Sequence, residues 1–351
     1  MRLCADIGGT KALLAIAGQG DTGQLQIHLQ HRYTCADYSE FAPMLADFMA
    51  MARARGVEPT QISGGCLAVA GPVDEDAQFS RMTNLPWSID AAALARQHGC
   101  GPLQVVNDFV AAAAGIEAIA PADLLTLQAG APLAHGPRLV VGAGTGLGVA
   151  MLVWQDKEQN AGHYRILPGE GGHSGFAPIN EEQAALWSYL HARAVQSGNH
   201  RGNHSGNQSG GRVTAEHVVS GPGLLTIYDF LCSRHGADQA DPRQASDPAA
   251  ALSELAAAQP QSVARQALDL FFGAYGAFAG DLALTLLARG GVYIAGGIAA
   301  RLPSLLRTSP FLTAFNDKAE HAALAAQMPL HVIADAELGL KGAALLALRQ
   351  G

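Results

Sequence analysis

The sequence predicts an α/β chain built from two related domains, and three observations carry that prediction. Short apolar runs that read as strands alternate with stretches at helical spacing. A strand, a tight glycine turn with a threonine, and a second strand open the chain over residues 3–16, and the same arrangement returns over residues 138–153. A third strand, residues 292–295, also runs into paired glycines, Gly296 and Gly297. A recurring supersecondary unit is the economical sign of duplication. A length of 351 residues accommodates two domains, each with its own core.

Taken in order, residues 3–7 form a short buried strand, Gly8 and Gly9 make the turn, and residues 11–16 leave it as a second strand. Leu25, Ile27 and Leu29 alternate with Gln26, His28 and Gln30, which predicts a half-exposed third strand. Phe41, Leu45, Phe48, Met49 and Ala52 follow helical spacing, and Gly56 is the stop. Residues 66–70 read as another buried strand. Ser88 is read as the N-cap of a helix over 89–97. Then comes Val105-Val106-Asn107-Asp108-Phe109, an apolar strand that ends in two polar residues, followed at once by an alanine-rich helix. Ligands in α/β proteins sit at the carboxyl ends of such strands, and Asp is also a favoured helix cap, so Asp108 carries both readings.

The second domain repeats the strand and glycine hairpin, with Gly142 to Gly148 in the turn region. Residues 167–178 are a glycine-dense loop in which Glu170 and His173 lie three apart. Residues 197–212 have a four-residue beat of glycine, asparagine and histidine that cannot bury a core, and they read as a mobile surface insertion. His200 and His204 within it lack the further ligands that a metal needs at sensible spacing. A long helix from residue 263, the strand at 292–295, a last strand over 330–333 and a last helix over 338–348 complete the chain.

Composition excludes several classes. Hydrophobic residues make up 49% and charged residues 15%, so the chain is neither disordered nor a charged helical array. The net charge of −8 offers nothing to a nucleic acid. Five scattered cysteines without a C-x-x-C, and an N-terminus without an apolar signal core, predict a reducing, cytoplasmic setting. The apolar segment at 263–288 carries Arg265, Asp269 and Asp281 at helical intervals, and so reads as a core helix rather than a membrane span.

Glycine lets a backbone approach a ligand closely and point successive N–H groups at one spot, which suits phosphate. The clusters at Gly8-Gly9, at Gly144-Thr145-Gly146 and at Gly296-Gly297 therefore point together to a nucleotide. They match neither familiar phosphate motif. No G-x-x-x-x-G-K-[ST] occurs, and the turn at Gly142 is followed by a strand where a dinucleotide fold needs a helix.

Seven motifs then make a resemblance: Asp6-Ile7-Gly8-Gly9-Thr10, Ala70-Gly71-Pro72-Val73, Asn107-Asp108-Phe109, Gly142-Ala143-Gly144-Thr145-Gly146-Leu147-Gly148, Gly169-Glu170-Gly171-Gly172-His173, Ser220-Gly221-Pro222-Gly223 and Ala295-Gly296-Gly297-Ile298. In this order the chain resembles the bacterial glucokinases over almost its whole length apart from 197–212. Lys11 stands where many of them have Asn, and Gly175 where many have Asp. The cysteine-rich zinc motif of a neighbouring branch of sugar kinases does not occur.

The resemblance implies an actin-like, ribonuclease-H-like fold of two related α/β domains flanking a nucleotide and sugar cleft. It implies a small domain over 1–110 to which the helix at 338–351 returns, and a large one over 111–337. The implied activity is transfer of the γ-phosphoryl group of ATP to glucose, with Asp108 as catalytic base. Asn107, Asp108, Glu170, His173 and Glu216 would bind sugar. Asp6, Gly8, Gly9, Thr10, Gly144, Thr145, Gly146, Gly296 and Gly297 would serve the nucleotide, with Asp6 holding Mg²⁺ through water. A homodimer is implied, with no nucleic-acid or membrane partner. A kinase of the same fold for another hexose or donor, and a sugar sensor without chemistry, are the competing readings. Retention of Asp108 and Asp6 speaks against the sensor, which needs neither a base nor a metal.

Overall fold

The structure is a computed structural model that describes residues 1–21, 23–157, 160–200 and 211–349. The chain divides into two compact units, one of Met1–Pro121, Ile166–Pro168 and Asp335–Gly351, the other of Ala122–Arg165 and Gly169–Ala334.

The first unit is built on β1 (Arg2–Ile7), β2 (Lys11–Gln19), β3 (Leu25–Thr34), α1 (Phe41–Ala54), β4 (Gly64–Val69), the small ribbon β5 (Phe79–Arg81) and β6 (Ser88–Asp90), α2 (Ala91–His98), β7 (Leu103–Asn107) and α3 (Asp108–Gly115). Its sheet has the order β3-β2-β1-β4-β7. The first three strands are antiparallel neighbours, and β1, β4 and β7 run parallel. Strand β1 is buried on both faces, as a central parallel strand must be. Leu3, Ala5 and Ile7 join one cluster with Phe41, Leu45 and Phe48 of α1, while Cys4 lies with Cys66 and Ala68 in another.

Two expected caps change here. Ser88 lies in β6, and Asp90 caps α2 by accepting from the Ala93 N–H at 2.8 Å. Antiparallel pairing of the three residues Ser88, Ile89 and Asp90 with β5 outcompetes an earlier helix start. Asp108 is not the cap of α3 either. Asn107 is, its Oδ1 accepting from the Phe109 N–H at 2.9 Å.

The second unit carries β8 (Leu124–Gln128), β9 (Arg138–Ala143), β10 (Leu147–Lys157), β11 (Asn160–Gly169), α4 (Glu181–His200), α5 (Gly221–His235), α6 (Pro248–Ala258), α7 (Val263–Leu286), β12 (Gly291–Ala295), four short helices α8 (Gly297–Arg301), α9 (Pro303–Thr308), α10 (Phe311–Asn316) and α11 (Ala322–Ala325), and β13 (Leu330–Ile333). Its sheet has the order β11-β10-β9-β12-β13-β8. Five of these strands repeat the first sheet: an antiparallel pair at one edge, a central strand, then two parallel strands. The duplication expected from the glycine hairpins is thus present as matching topology.

Helix α7 is long and apolar enough to cross a membrane by composition, yet most of its residues are buried in the second unit's core. Phe271, Phe272 and Tyr275 lie in that core, and the Tyr275 hydroxyl donates to the Val141 carbonyl at 3.0 Å. Strand β11 takes in Leu167, Pro168 and Gly169, so the glycine-dense loop begins only at Glu170. Of the insertion expected at 197–212, residues 201–210, including His204, lie outside the described residues, and α4 extends to His200.

The chain ends with α12 (Leu338–Leu348) in the first unit. Leu340, Ala343, Ala344 and Ala347 cover the sheet face that holds Cys4, Cys66 and Ala68. Gly342 meets the backbone of Ala111 on α3 so closely that a Cβ would collide with it. The helix that begins at Asp108 is therefore braced by the last helix of the chain.

Candidate active site

In the first unit, register brings two acidic residues to one edge of the sheet. Ile7 pairs with Val69, and Val69 with Asn107, so β1, β4 and β7 end at one level. Asp6 is the penultimate residue of β1, and Asp108 is the residue directly after β7. Burial is the larger cause that pushes the Asp6 carboxyl up to about 6 from its usual 3.8, and the nearby Asp108 carboxylate adds to it. Water is displaced from Asp6 in part by α12, because Gly339 lies against it. A Cβ on Gly339 would stand 2.5 Å from Oδ2 of Asp6.

Asn107 is more constrained than a free sugar ligand would be. Its Oδ1 is engaged by the helix cap, and its Nδ2 donates to the Gly71 carbonyl at 3.4 Å. With Asn107 taking the cap, Asp108 occupies the first helical position, where a carboxylate interacts favourably with the helix N-terminus. The turn at Gly8, Gly9 and Thr10 is closed by the Gly8 N–H donating to Lys11 O at 3.0 Å, and Thr10 O accepts from the Cys35 N–H at 2.9 Å. A Cβ on Gly9 would lie 3.1 Å from Cβ of Asn84, so the turn packs tightly against its neighbour and a larger residue would require Asn84 to shift.

The second unit gathers the remaining candidates. Gly144, Thr145 and Gly146 form the turn between β9 and β10, closed by the Gly144 N–H donating to Gly146 O at 2.8 Å. Among the described residues, and apart from its chain neighbours, nothing lies within 4 Å of where a Gly144 Cβ would be, which leaves the turn backbone open on that side. Gly296, at φ +91°, follows β12 and sits against the Ala143 backbone, where any Cβ would collide. Gly297 begins α8 directly after it. Glu216 reaches the same turn. Its Oε2 accepts from the Leu147 N–H at 2.8 Å, and a Cβ on Gly146 would lie 2.7 Å from that oxygen.

Glu170 and His173 follow β11 on a single turn of 3₁₀ helix. Their carboxylate and imidazole stand 3.8 Å apart, with side chains 86% and 59% exposed. They are free to turn toward a polyol, since neither is committed to the core. Chemically, then, one unit presents paired carboxylates beside a glycine turn. The other presents a bare glycine turn with a carboxylate and a carboxylate–imidazole pair.

Sequence reasoning missed Gly339 as part of the Asp6 environment. The stretch Glu337-Leu338-Gly339-Leu340 reads locally only as a helix start, and its contact with Asp6 spans the whole chain. It also missed that Glu216 holds a backbone N–H of the glycine turn, a contact between residues 69 positions apart.

Comparison with known proteins places the chain in a family. The glucokinase family model matches residues 3–350. The glucokinase of Nostoc sp. (strain PCC 7120) is 36% identical over 362 residues, covering 99% of this chain and 98% of its own. That of Chromobacterium violaceum is 35% identical, covering 98% and 88%. A crystal structure of glucokinase from an Antarctic psychrotroph superposes with a TM-score of 0.77 at 28% identity, over 99% of this chain and 98% of that one. With its motifs in order, its duplicated topology and a match across nearly its full length, this chain belongs to the glucokinase family.

Proposed function

We propose that this chain transfers the γ-phosphoryl group of ATP to the 6-hydroxyl of glucose. Family membership supplies the reaction class. The observation that carries the assignment to residues is the acidic pair, Asp6 and Asp108, at the carboxyl edge of the first sheet. A sugar hydroxyl is a poor acid, so its proton must be taken as the transfer proceeds, by a base within hydrogen-bond reach. Asp108 is that base, held by strand β7 on one side and by α3 on the other. The hydroxyl oxygen forms its bond to the γ-phosphorus, the bond from phosphorus to the bridging oxygen of ADP breaks, and the hydroxyl proton passes to the Asp108 carboxylate. Asn107, Glu170, His173 and Glu216 orient the sugar. The turns at Gly8, Gly9 and Thr10 and at Gly144, Thr145 and Gly146 offer backbone N–H groups to the phosphates, while Gly296 and Gly297 let adenosine lie against the backbone.

Mg²⁺ fits Asp6. Two carboxylates crowded together are relieved by a divalent cation, and Mg²⁺ keeps most of its water while using only one or two protein carboxylates. No group of three or more His, Cys, Asp or Glu among the described residues forms a protein cage, and none is required. When bound, Mg²⁺ neutralises phosphate charge. The same family reading assigns a cytoplasmic homodimer.

A coupled assay with ATP and a panel of hexoses tests the function. Turnover on glucose with ATP is the expected result, and absence of turnover on every hexose would remove the assignment. Gly339→Ala tests the geometry. Helix propensity favours Ala over Gly by about 1 kcal/mol and overpacking costs about 1–3 kcal/mol, so thermal stability should fall only modestly. Its methyl group nevertheless has to displace the Asp6 carboxylate. We expect kcat to fall by about 10²-fold, the scale of a 1 Å misplacement. A variant with wild-type kcat would free Asp6 from any positional role.

A further inference from the structure

The contacts of Glu216 go beyond what a sugar ligand needs. Residues 213–221 touch both the loop that carries Glu170 and His173 and the glycine turn at Gly144, Thr145 and Gly146. On the loop side, the Phe176 N–H donates to Val213 O at 3.1 Å and the Ala215 N–H donates to Ser174 O at 2.9 Å, with Gly175 and Thr214 paired between them. On the turn side, the Gly221 N–H donates to Gly144 O at 2.8 Å, and Oε2 of Glu216 accepts from the Leu147 N–H at 2.8 Å. The segment is itself stiff. The Ser220 hydroxyl donates to the Glu216 carbonyl at 2.7 Å and accepts from the Gly223 N–H at 3.0 Å, which fixes Glu216 to the start of α5.

We propose that residues 213–221 couple sugar binding to nucleotide binding, with Glu216 as the positioning residue that holds the phosphate turn from the sugar side. This rests on the kinase reading above and adds to it a direction of regulation within the site. A carboxylate has two oxygens. Oε2 is engaged by the Leu147 N–H, which leaves Oε1 for a sugar hydroxyl. Sugar at Oε1 locks the carboxylate, the locked carboxylate fixes the start of β10, and a fixed turn binds triphosphate without the cost of ordering it. By linkage, the nucleotide must then tighten sugar by the same factor.

The test measures that factor on the full chain. Glucose affinity is determined by calorimetry with and without Mg²⁺ and a non-hydrolysable ATP analogue, for the wild type, Glu216→Ala and Glu216→Gln. In the wild type the analogue should tighten glucose by about fivefold or more, the lower end of ordinary coupling. Glu216→Ala should bring the factor to one. Glu216→Gln should keep it even where glucose affinity changes, because the amide oxygen still accepts from the Leu147 N–H. A role confined to sugar contact would weaken glucose in Glu216→Ala and leave the factor intact, which overturns the proposal. A wild type that turns over glucose yet shows no coupling also overturns it and leaves the kinase reading standing, whereas absence of turnover and binding removes both. Should Glu216→Ala fail to fold, Ser220→Ala, which frees the Glu216 main chain, decides the matter: a reduced factor supports coupling, and an unchanged one refutes it.

Discussion

Asp108→Asn is expected to lower kcat by about two to four orders of magnitude, the contribution of a well-placed general base. Asn keeps the size of the side chain and can still accept a hydrogen bond from the sugar hydroxyl. Glucose affinity measured by calorimetry should therefore stay near that of the wild type. Stability should change little. The cap of α3 belongs to Asn107, through its 2.9 Å bond from the Phe109 N–H, so the substitution leaves the cap in place. What is lost is the interaction of a first-turn carboxylate with the helix N-terminus, about 0.3–1 kcal/mol. What is gained is relief of the repulsion that helps to push Asp6 upward. The two effects oppose each other, and the net change should lie within about 1 kcal/mol. Steady-state kinetics beside thermal unfolding separates the roles. A variant with most of its turnover intact would show that Asp108 serves the helix alone.

Asp6→Asn is expected to make the ligand-free protein more stable at neutral pH and the enzyme worse. The sign follows from linkage. Asp6 has its folded value at about 6 and its usual value at 3.8, so the folded state holds that proton more tightly than the unfolded state does. Between about pH 4 and pH 6 the unfolded chain has released the proton while the folded one retains it, and stability falls as pH rises. Above pH 6 the folded chain carries a partly desolvated carboxylate at full cost. Two pKa units correspond to about 3 kcal/mol, an upper limit on what the neutral Asn recovers.

In the absence of Mg²⁺ and nucleotide, Asp6→Asn should therefore melt higher than the wild type at pH 7 to 8, with the difference vanishing near pH 4. A difference that does not vary with pH would contradict the cause assigned to the shift. Activity should move the other way, because the Mg²⁺ site proposed at Asp6 loses its charge. Loss of a residue that acts on a metal through water commonly costs about 10- to 100-fold. We expect that loss to appear in kcat/KM for Mg-ATP. A destabilising carboxylate kept at the edge of a sheet is the trade a binding site makes for function.

Local pattern made much of this molecule legible. The strands at β1, β2, β4, β9 and β12 are apolar runs closed by glycine, and the long helix α7 declares itself by spacing. The duplication was visible because each unit opens on the same strand, glycine turn and strand. Edge elements were less visible. Strand β8 is five residues long, and β11 ends in Pro168 and Gly169, which read as loop. Caps were misplaced by one or two residues, because a cap depends on where competing strand pairing stops, as at Ser88 and Asp90.

The sequence by itself determined the fold class and the family and nominated the residues of the candidate site, since each rests on short motifs whose order survives without a structure. Only the tertiary structure decided what those residues do to one another. The pressure of Asp108 on Asp6, the contact of Gly339 with that carboxylate from the far end of the chain, and the hold of Glu216 on the Leu147 N–H all join residues distant in sequence. Their strength depends on burial and on separations of a few ångströms, and those are fixed by packing rather than by neighbours along the chain.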